Sequence, residues 1–181
     1  MIILIDINVL ADIPSGLLEV TGVDFKRHEL CSYDDVNQWI EVIGRGRIKG
    51  LLEHWTDFWI DLKPYLWARQ FVWHARQLGT VILTASDTEC LKPDLEGVKT
   101  WAERTGLPFD QWIFGNLSFF NRPGVVYVNA TRQHRCMFNV GVLSPPSGGG
   151  KMLNLNVMAD GYTGDDVCRL LDHVVKGVSD L

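Results

Sequence analysis

The chain has 181 residues, 46 % of them hydrophobic and 22 % charged, with a formal net charge of −5. One domain of that length can bury a sizeable apolar core. The acidic balance, without clustered Lys and Arg, argues against a protein that wraps nucleic acid. The cysteines, Cys31, Cys90, Cys136 and Cys168, show no Cys-x-x-Cys pairing, so their spacing indicates neither a zinc site nor a disulfide framework.

The opening stretch is Met1-Ile-Ile-Leu-Ile-Asp6-Ile-Asn8-Val-Leu-Ala-Asp12. An apolar run without polar alternation predicts a strand covered on both faces, as in a parallel sheet. It delivers Asp6 and Asn8 at its carboxyl end, beyond which such sheets bind ligands. An acid in that place can also simply cap a neighbouring helix. The run is too short for a secretory signal or a membrane span and has no basic region before it, so a cytoplasmic protein without a membrane partner is expected.

Ile13-Pro-Ser-Gly16 is expected to break any continuing element. Val36, Trp39, Ile40 and Ile43 have helical spacing over 34–43, and Gly44-Arg-Gly-Arg47 with Lys49 reads as a small basic loop. Leu52, Trp55, Phe58, Trp59 and Leu62 then fall on one face of a helix over 51–62. Such an aromatic stripe suits core packing better than ligand stacking.

Pro64 can open a helix over 65–78 that Gly79 stops. Thr80-Val-Ile-Leu-Thr84 is a second strand, ending at a hydroxyl and, in Ser86-Asp87, at another polar pair. A helix over 93–105 is expected to turn Leu95, Val98, Trp101 and Ala102 inward and to end at Gly106. Gln111–Phe114 and Gly124–Val128 read as strands, 132–140 as a helix, and 142–144 as a short strand. Pro145-Pro-Ser-Gly-Gly-Gly150 reads as a loop; Gly148-Gly-Gly-Lys151 lacks the spacing and context of a phosphate loop. A terminal helix over 165–178 carries Val167, Leu170, Leu171, Val174, Val175 and Val178 at helical intervals. The histidines show no pairing at metal-ligand spacing. Strands alternating with helices define the α/β class with a mostly parallel sheet.

An acid at the end of the first strand, a Thr at the end of the second and an Asn after a later one resemble the haloacid-dehalogenase-like superfamily, most closely its 5′(3′)-deoxyribonucleotidase-like branch. The segments that carry the likeness are Leu4-Ile-Asp6-Ile-Asn8-Val-Leu-Ala-Asp12, the 64–78 helix leading into Val81-Ile-Leu-Thr84-Ala-Ser86, and Val125-Val-Tyr-Val128. The resemblance implies a Rossmann-like three-layer core, residues 1–12 and 64–181, with a small helical cap, residues 13–63, inserted after the first strand. It places Asp6 as the nucleophile on a phosphate ester and Thr84 on the phosphoryl oxygens, with Ser86, Arg122 and the cap aromatic Trp59 as substrate contacts. It also implies Mg²⁺ held by Asp6 and, in the position of paired aspartates, Asn129-Ala130.

Several helpers are replaced. Asn8 occupies the place of the general acid, and an amide has no proton to exchange near neutral pH, a loss of about 10² to 10⁴ in rate. Residues 115–122 offer no lysine. Asn129 supplies no carboxylate, and Mg²⁺ prefers carboxylates, so its binding is expected to be weakened. The resemblance therefore implies a nucleotidase-like protein of low or no activity that keeps a crevice for a nucleotide or phosphate ester, or that binds a protein partner. The alternative is an active phosphohydrolase in which Asp6 works with altered auxiliary groups.

Overall fold

The computed structural model describes residues 1–22, 44–54, 57–85, 93–114, 124–129, 138–142, 153–155 and 163–179. In chain order these form β1 (Ile2–Asp6), α1 (Ile7–Leu10), α2 (Ile13–Thr21), α3 (Arg45–His54), α4 (Phe58–Asp61), α5 (Ala68–Leu78) and β2 (Thr80–Thr84). There follow α6 (Leu95–Thr105), β3 (Gln111–Trp112), β4 (Val125–Asn129), β5 (Phe138–Val142), β6 (Leu153–Leu155) and α7 (Gly164–Ser179).

The strands join in one sheet of order β3-β2-β1-β4-β5-β6. The first four are mutually parallel, and β5 and β6 add antiparallel at the β4 edge. β1 lies between β2 and β4 in continuous register, Ile2 opposite Thr80 through Asp6 opposite Thr84 on one side, and Ile2 opposite Val125 through Ile5 opposite Val128 on the other. Ile3, Leu4 and Ile5 are fully buried, which is why this run carries no polar alternation. The fold is mixed α/β of Rossmann-like kind.

Side chains alternate across a strand, and the two faces of the sheet pack differently. Ile3, Ile5, Val81, Leu83, Val126 and Val128 share a core with Phe71, Val72 and Ala75 of α5, Val98 and Trp101 of α6, and Val167 and Leu171 of α7. Leu4, Ile82 and Val125 form a separate cluster with Ile2, Ile113 and Tyr127. Among the described residues, helices pack on the first face.

Local chemistry explains the helix limits. Asp94 accepts from the Gly97 amide at 3.2 Å to start α6, and Gly106 ends it in the left-handed region at φ 63°. Thr163 and Asp166 cap α7 reciprocally: the Thr163 amide donates to Asp166 Oδ2 at 2.9 Å and the Asp166 amide to Thr163 Oγ1 at 3.4 Å. The stops agree with the sequence signals at Gly79 and Gly106.

The segment after β1 leaves and returns through one doorway. Ala11 and Pro64 form an antiparallel bridge; the Asp12 amide donates to the Lys63 carbonyl at 2.8 Å and the Tyr65 amide to the Leu10 carbonyl at 2.9 Å.

Several sequence expectations are corrected. Ile13–Gly16 does not break the chain but opens α2, because proline in a first helical turn sacrifices no hydrogen bond and Asp12 caps the Ser15 amide. The expected basic loop at 44–49 is helical from Arg45: the Gly44 carbonyl accepts from the Arg47 and Ile48 amides, and Ile48 is fully buried as an apolar anchor. The helix expected over 65–78 starts at Ala68, since Pro64 and Tyr65 are committed to the stem. Leu95 is 45 % exposed rather than turned inward, being the first residue after the cap. Residues 138–140, expected helical, belong to β5, where pairing with β4 and β6 overrides a weak helical pattern. β6 was not expected at all. The helix expected over 34–43 and the loop 145–150 lie outside the described residues.

Candidate functional site

β1 ends at Asp6, which is only 1 % exposed. Its backbone is still extended, at φ −78° and ψ 136°, and the next residue begins α1. Asp6 Oδ1 accepts from the Asn8 amide at 2.9 Å and so caps that helical turn. The capping role open to a strand-end acid is thus real, and it uses one carboxylate oxygen.

The other oxygen faces β4. Tyr127 lies opposite Leu4 in the parallel register, and its hydroxyl donates to Asp6 Oδ2 at 3.2 Å. On the far side of β1, Thr84 is the direct register partner of Asp6 and is fully buried. Among the described residues its Oγ1 has no hydrogen-bond partner. A buried hydroxyl in that condition costs free energy on the order of 1–3 kcal/mol unless something meets it.

Thr84, Asp6 and Tyr127 therefore stand side by side on one sheet face, at or near the carboxyl ends of three adjacent parallel strands. The topology marks the same place. From β1 the chain moves to β2 and β3 on one side, then crosses to β4 on the other, so the strand order reverses between β1 and β4. The crevice beyond such a reversal is where open α/β sheets bind ligands.

The remaining sequence candidates divide. Asn8 is 3 % exposed in the first turn of α1, and its amide is the group that holds Asp6. Asn129 ends β4, one residue beyond the Val128–Ile5 pair, and its backbone pairs with Asn139 of β5. Trp59 is 6 % exposed and sits edge-on to Phe58, with ring centroids 5.4 Å apart. It presses on α6 so closely that a Cβ at Gly97 would lie 3.2 Å from the Trp59 Cβ. That is core packing between α4 and α6. Ser86, Asp87 and Arg122 lie outside the described residues. Asp12, a further acid near the opening motif, is occupied at the start of α2, where it also accepts from the Ser15 hydroxyl at 2.8 Å.

Sequence reasoning missed two hydroxyls. Tyr127 sits within a valine run and reads as a core aromatic; only the β1–β4 register brings it to Asp6. Tyr65 stacks on Trp67, with centroids 5.6 Å apart and rings 6° from parallel, and its buried hydroxyl also lacks a partner among the described residues. Burial, reinforced by the Asp12 carboxylate, pushes its phenol far above the usual range.

A magnesium ion takes near-octahedral oxygen ligands, usually from one or two carboxylates, waters and substrate phosphates. The described residues bring one carboxylate to this crevice, and both of its oxygens already accept hydrogen bonds. No group of three His, Cys, Asp or Glu suited to a metal occurs among them. One carboxylate is the least that magnesium uses, and at Asp6 a cation would share both oxygens with donors already in place. A groove of about 580 Å³ between α5 and α7 is lined by Trp73, His74, Cys168 and Asp172, not by Asp6, Thr84 or Tyr127. No helix among the described residues is long and apolar enough to cross a membrane.

No family model matches the chain, and no curated protein matches it in sequence.

Proposed function

We propose that the chain is a haloacid-dehalogenase-like relative of the 5′-nucleotidases, with a three-layer core, a helical cap and a degenerate site. It binds a nucleotide or another phosphate ester in the cytoplasm with little or no hydrolysis. The observation that carries this reading is the register pair Asp6–Thr84: two buried polar residues at the carboxyl ends of adjacent parallel strands, beside the reversal of strand order, one with a hydroxyl that meets no partner among the described residues. A phosphoryl oxygen is a strong acceptor of the size and polarity that Thr84 Oγ1 lacks.

The chemistry beyond binding is impoverished. Asn8 contributes a backbone amide and cannot act as a general acid, and phosphoryl transfer depends almost wholly on positioning and charge stabilisation. Magnesium is held weakly at most, for want of carboxylates. A protein partner that uses the same crevice would be regulated by whatever ligand fills it.

The test is calorimetric titration with nucleoside monophosphates and inorganic phosphate, run beside phosphate release from an aryl phosphate. Saturable binding that persists in Asp6→Asn, with turnover no higher than in that variant, is the expected result. Turnover in the wild type that Asp6→Asn abolishes would make the chain an active phosphohydrolase with Asp6 as nucleophile. Absence of binding across the panel would remove the reading.

A further inference from the structure

A carboxylate that is 1 % exposed needs compensation for its lost hydration, by hydrogen bonds, an opposite charge or a metal ion. At Asp6 the Asn8 amide meets Oδ1 at 2.9 Å and the Tyr127 hydroxyl meets Oδ2 at 3.2 Å. These donors differ in kind. The amide belongs to the helical turn that follows β1 and comes with the backbone. The hydroxyl comes from another strand, held in place by the Leu4–Tyr127 register and by packing of Tyr127 against Leu4, Ile82 and Val125.

The positive end of the Tyr127 O–H dipole points at the oxygen that a cation would approach from the β4 side. A cation and that proton compete for the same negative charge. We infer that the Tyr127 hydroxyl stands at Asp6 in the place of a divalent cation, locking the carboxylate in a hydrogen-bonded state that takes up metal poorly. Tyr127 is then a positioning residue that sets the ligand preference of the crevice. It favours ligands that arrive without a metal ion and accept from the Thr84 hydroxyl. The inference rests on the crevice being a binding site, and its test is independent of nucleotide binding.

Mn²⁺ binding is followed by electron paramagnetic resonance in the wild type, Tyr127→Phe and Tyr127→Phe/Asp6→Asn, with circular dichroism to establish that each is folded. Removing the hydroxyl is expected to give saturable Mn²⁺ binding at a concentration at least about tenfold below any seen with the wild type, the size of a hydrogen bond to a charged group. The double variant is expected to lose that gain, which locates it at Asp6. Tyr127→Met serves as the second probe if the Phe variant does not fold. Equal or weaker Mn²⁺ binding without the hydroxyl, or no binding in any variant, overturns the lock. If the Mn²⁺ gain appears while the wild type binds no nucleotide, the nucleotide reading falls and the lock stands.

Discussion

At Thr84 the fold leaves a hydroxyl fully buried with no described partner, beside a carboxylate that is met on both oxygens. The contrast separates what each side chain does. Asp6 already accepts on both oxygens, so it contributes to the folded state as it stands; Thr84 has no partner among the described residues, so its hydroxyl is the group that a ligand in the crevice can meet. Thr84→Val keeps the volume and removes the unmet group. Stability is expected to be unchanged or to rise by up to about 1 kcal/mol, while affinity for a phosphate-bearing ligand falls roughly tenfold or more. Thermal unfolding and calorimetric titration of the same variant read the two effects. A drop in stability of more than about 2 kcal/mol would mean that Thr84 already has a partner in the folded chain. Asp6 and Thr84 were legible as candidates because both end apolar runs; Tyr127, enclosed by Val126 and Val128, carried no such mark.

Among the elements, α7 illustrates how a local pattern meets a tertiary environment. Its inward face, Val167, Leu171, Val174 and Val175, is readable from helical spacing alone, and its capping by Thr163 and Asp166 needs only neighbours in sequence. The Thr163 amide and hydroxyl, with Arg169 at 2.6 Å, hold the Asp166 carboxyl below its usual range. Cys168 depends on what packs against α7. It is 8 % exposed beside α5, and burial first, then the Asp172 and Asp165 carboxylates, pushes its thiol up to about 11. The neutral thiol's contribution to stability is therefore fully present below pH 9.0 and lost as pH rises toward about 11. At pH 8 its thiolate fraction is small, so Cys168 in the native protein is expected to react with iodoacetamide roughly a hundredfold more slowly than an unperturbed thiol. Peptide mapping of Cys168 by mass spectrometry, native against urea-unfolded, checks this; equal labelling in both states would contradict the burial.

The whole molecule turns on the stem at Ala11 and Pro64. A segment that leaves and returns at one bridge has the outline of a separable module, yet its buried side chains are shared with the rest. Ile13, Leu17, Ile48, Phe58, Trp59 and Leu62 belong to the same apolar cluster as the strands, and the Trp101 indole of α6 donates to the Leu62 carbonyl at 2.8 Å. Burial of one large apolar side chain is worth about 1.5–3 kcal/mol, so six together match or exceed the roughly 5–15 kcal/mol net stability of an ordinary domain. Replacing residues 13–62 with a short Gly-Ser linker is accordingly expected to abolish cooperative unfolding. A truncated chain that still unfolds in a single sharp transition, followed by circular dichroism in urea, would show that the segment is a dispensable appendage.

By itself the sequence determined the α/β class, the end of α5 and the limits of α6 and α7, because caps, glycine stops and apolar period act within a few residues of one another. It also pointed to Asp6 and Thr84, since an acid or hydroxyl ending an apolar run needs no partner to be noticed. Only tertiary structure decided that 138–140 pair as a strand, that Trp59 is spent on α6, and that Tyr127 reaches Asp6. Each of those outcomes depends on register or packing between residues far apart in the chain, and a slip of one residue along β4 would turn Tyr127 to the opposite face.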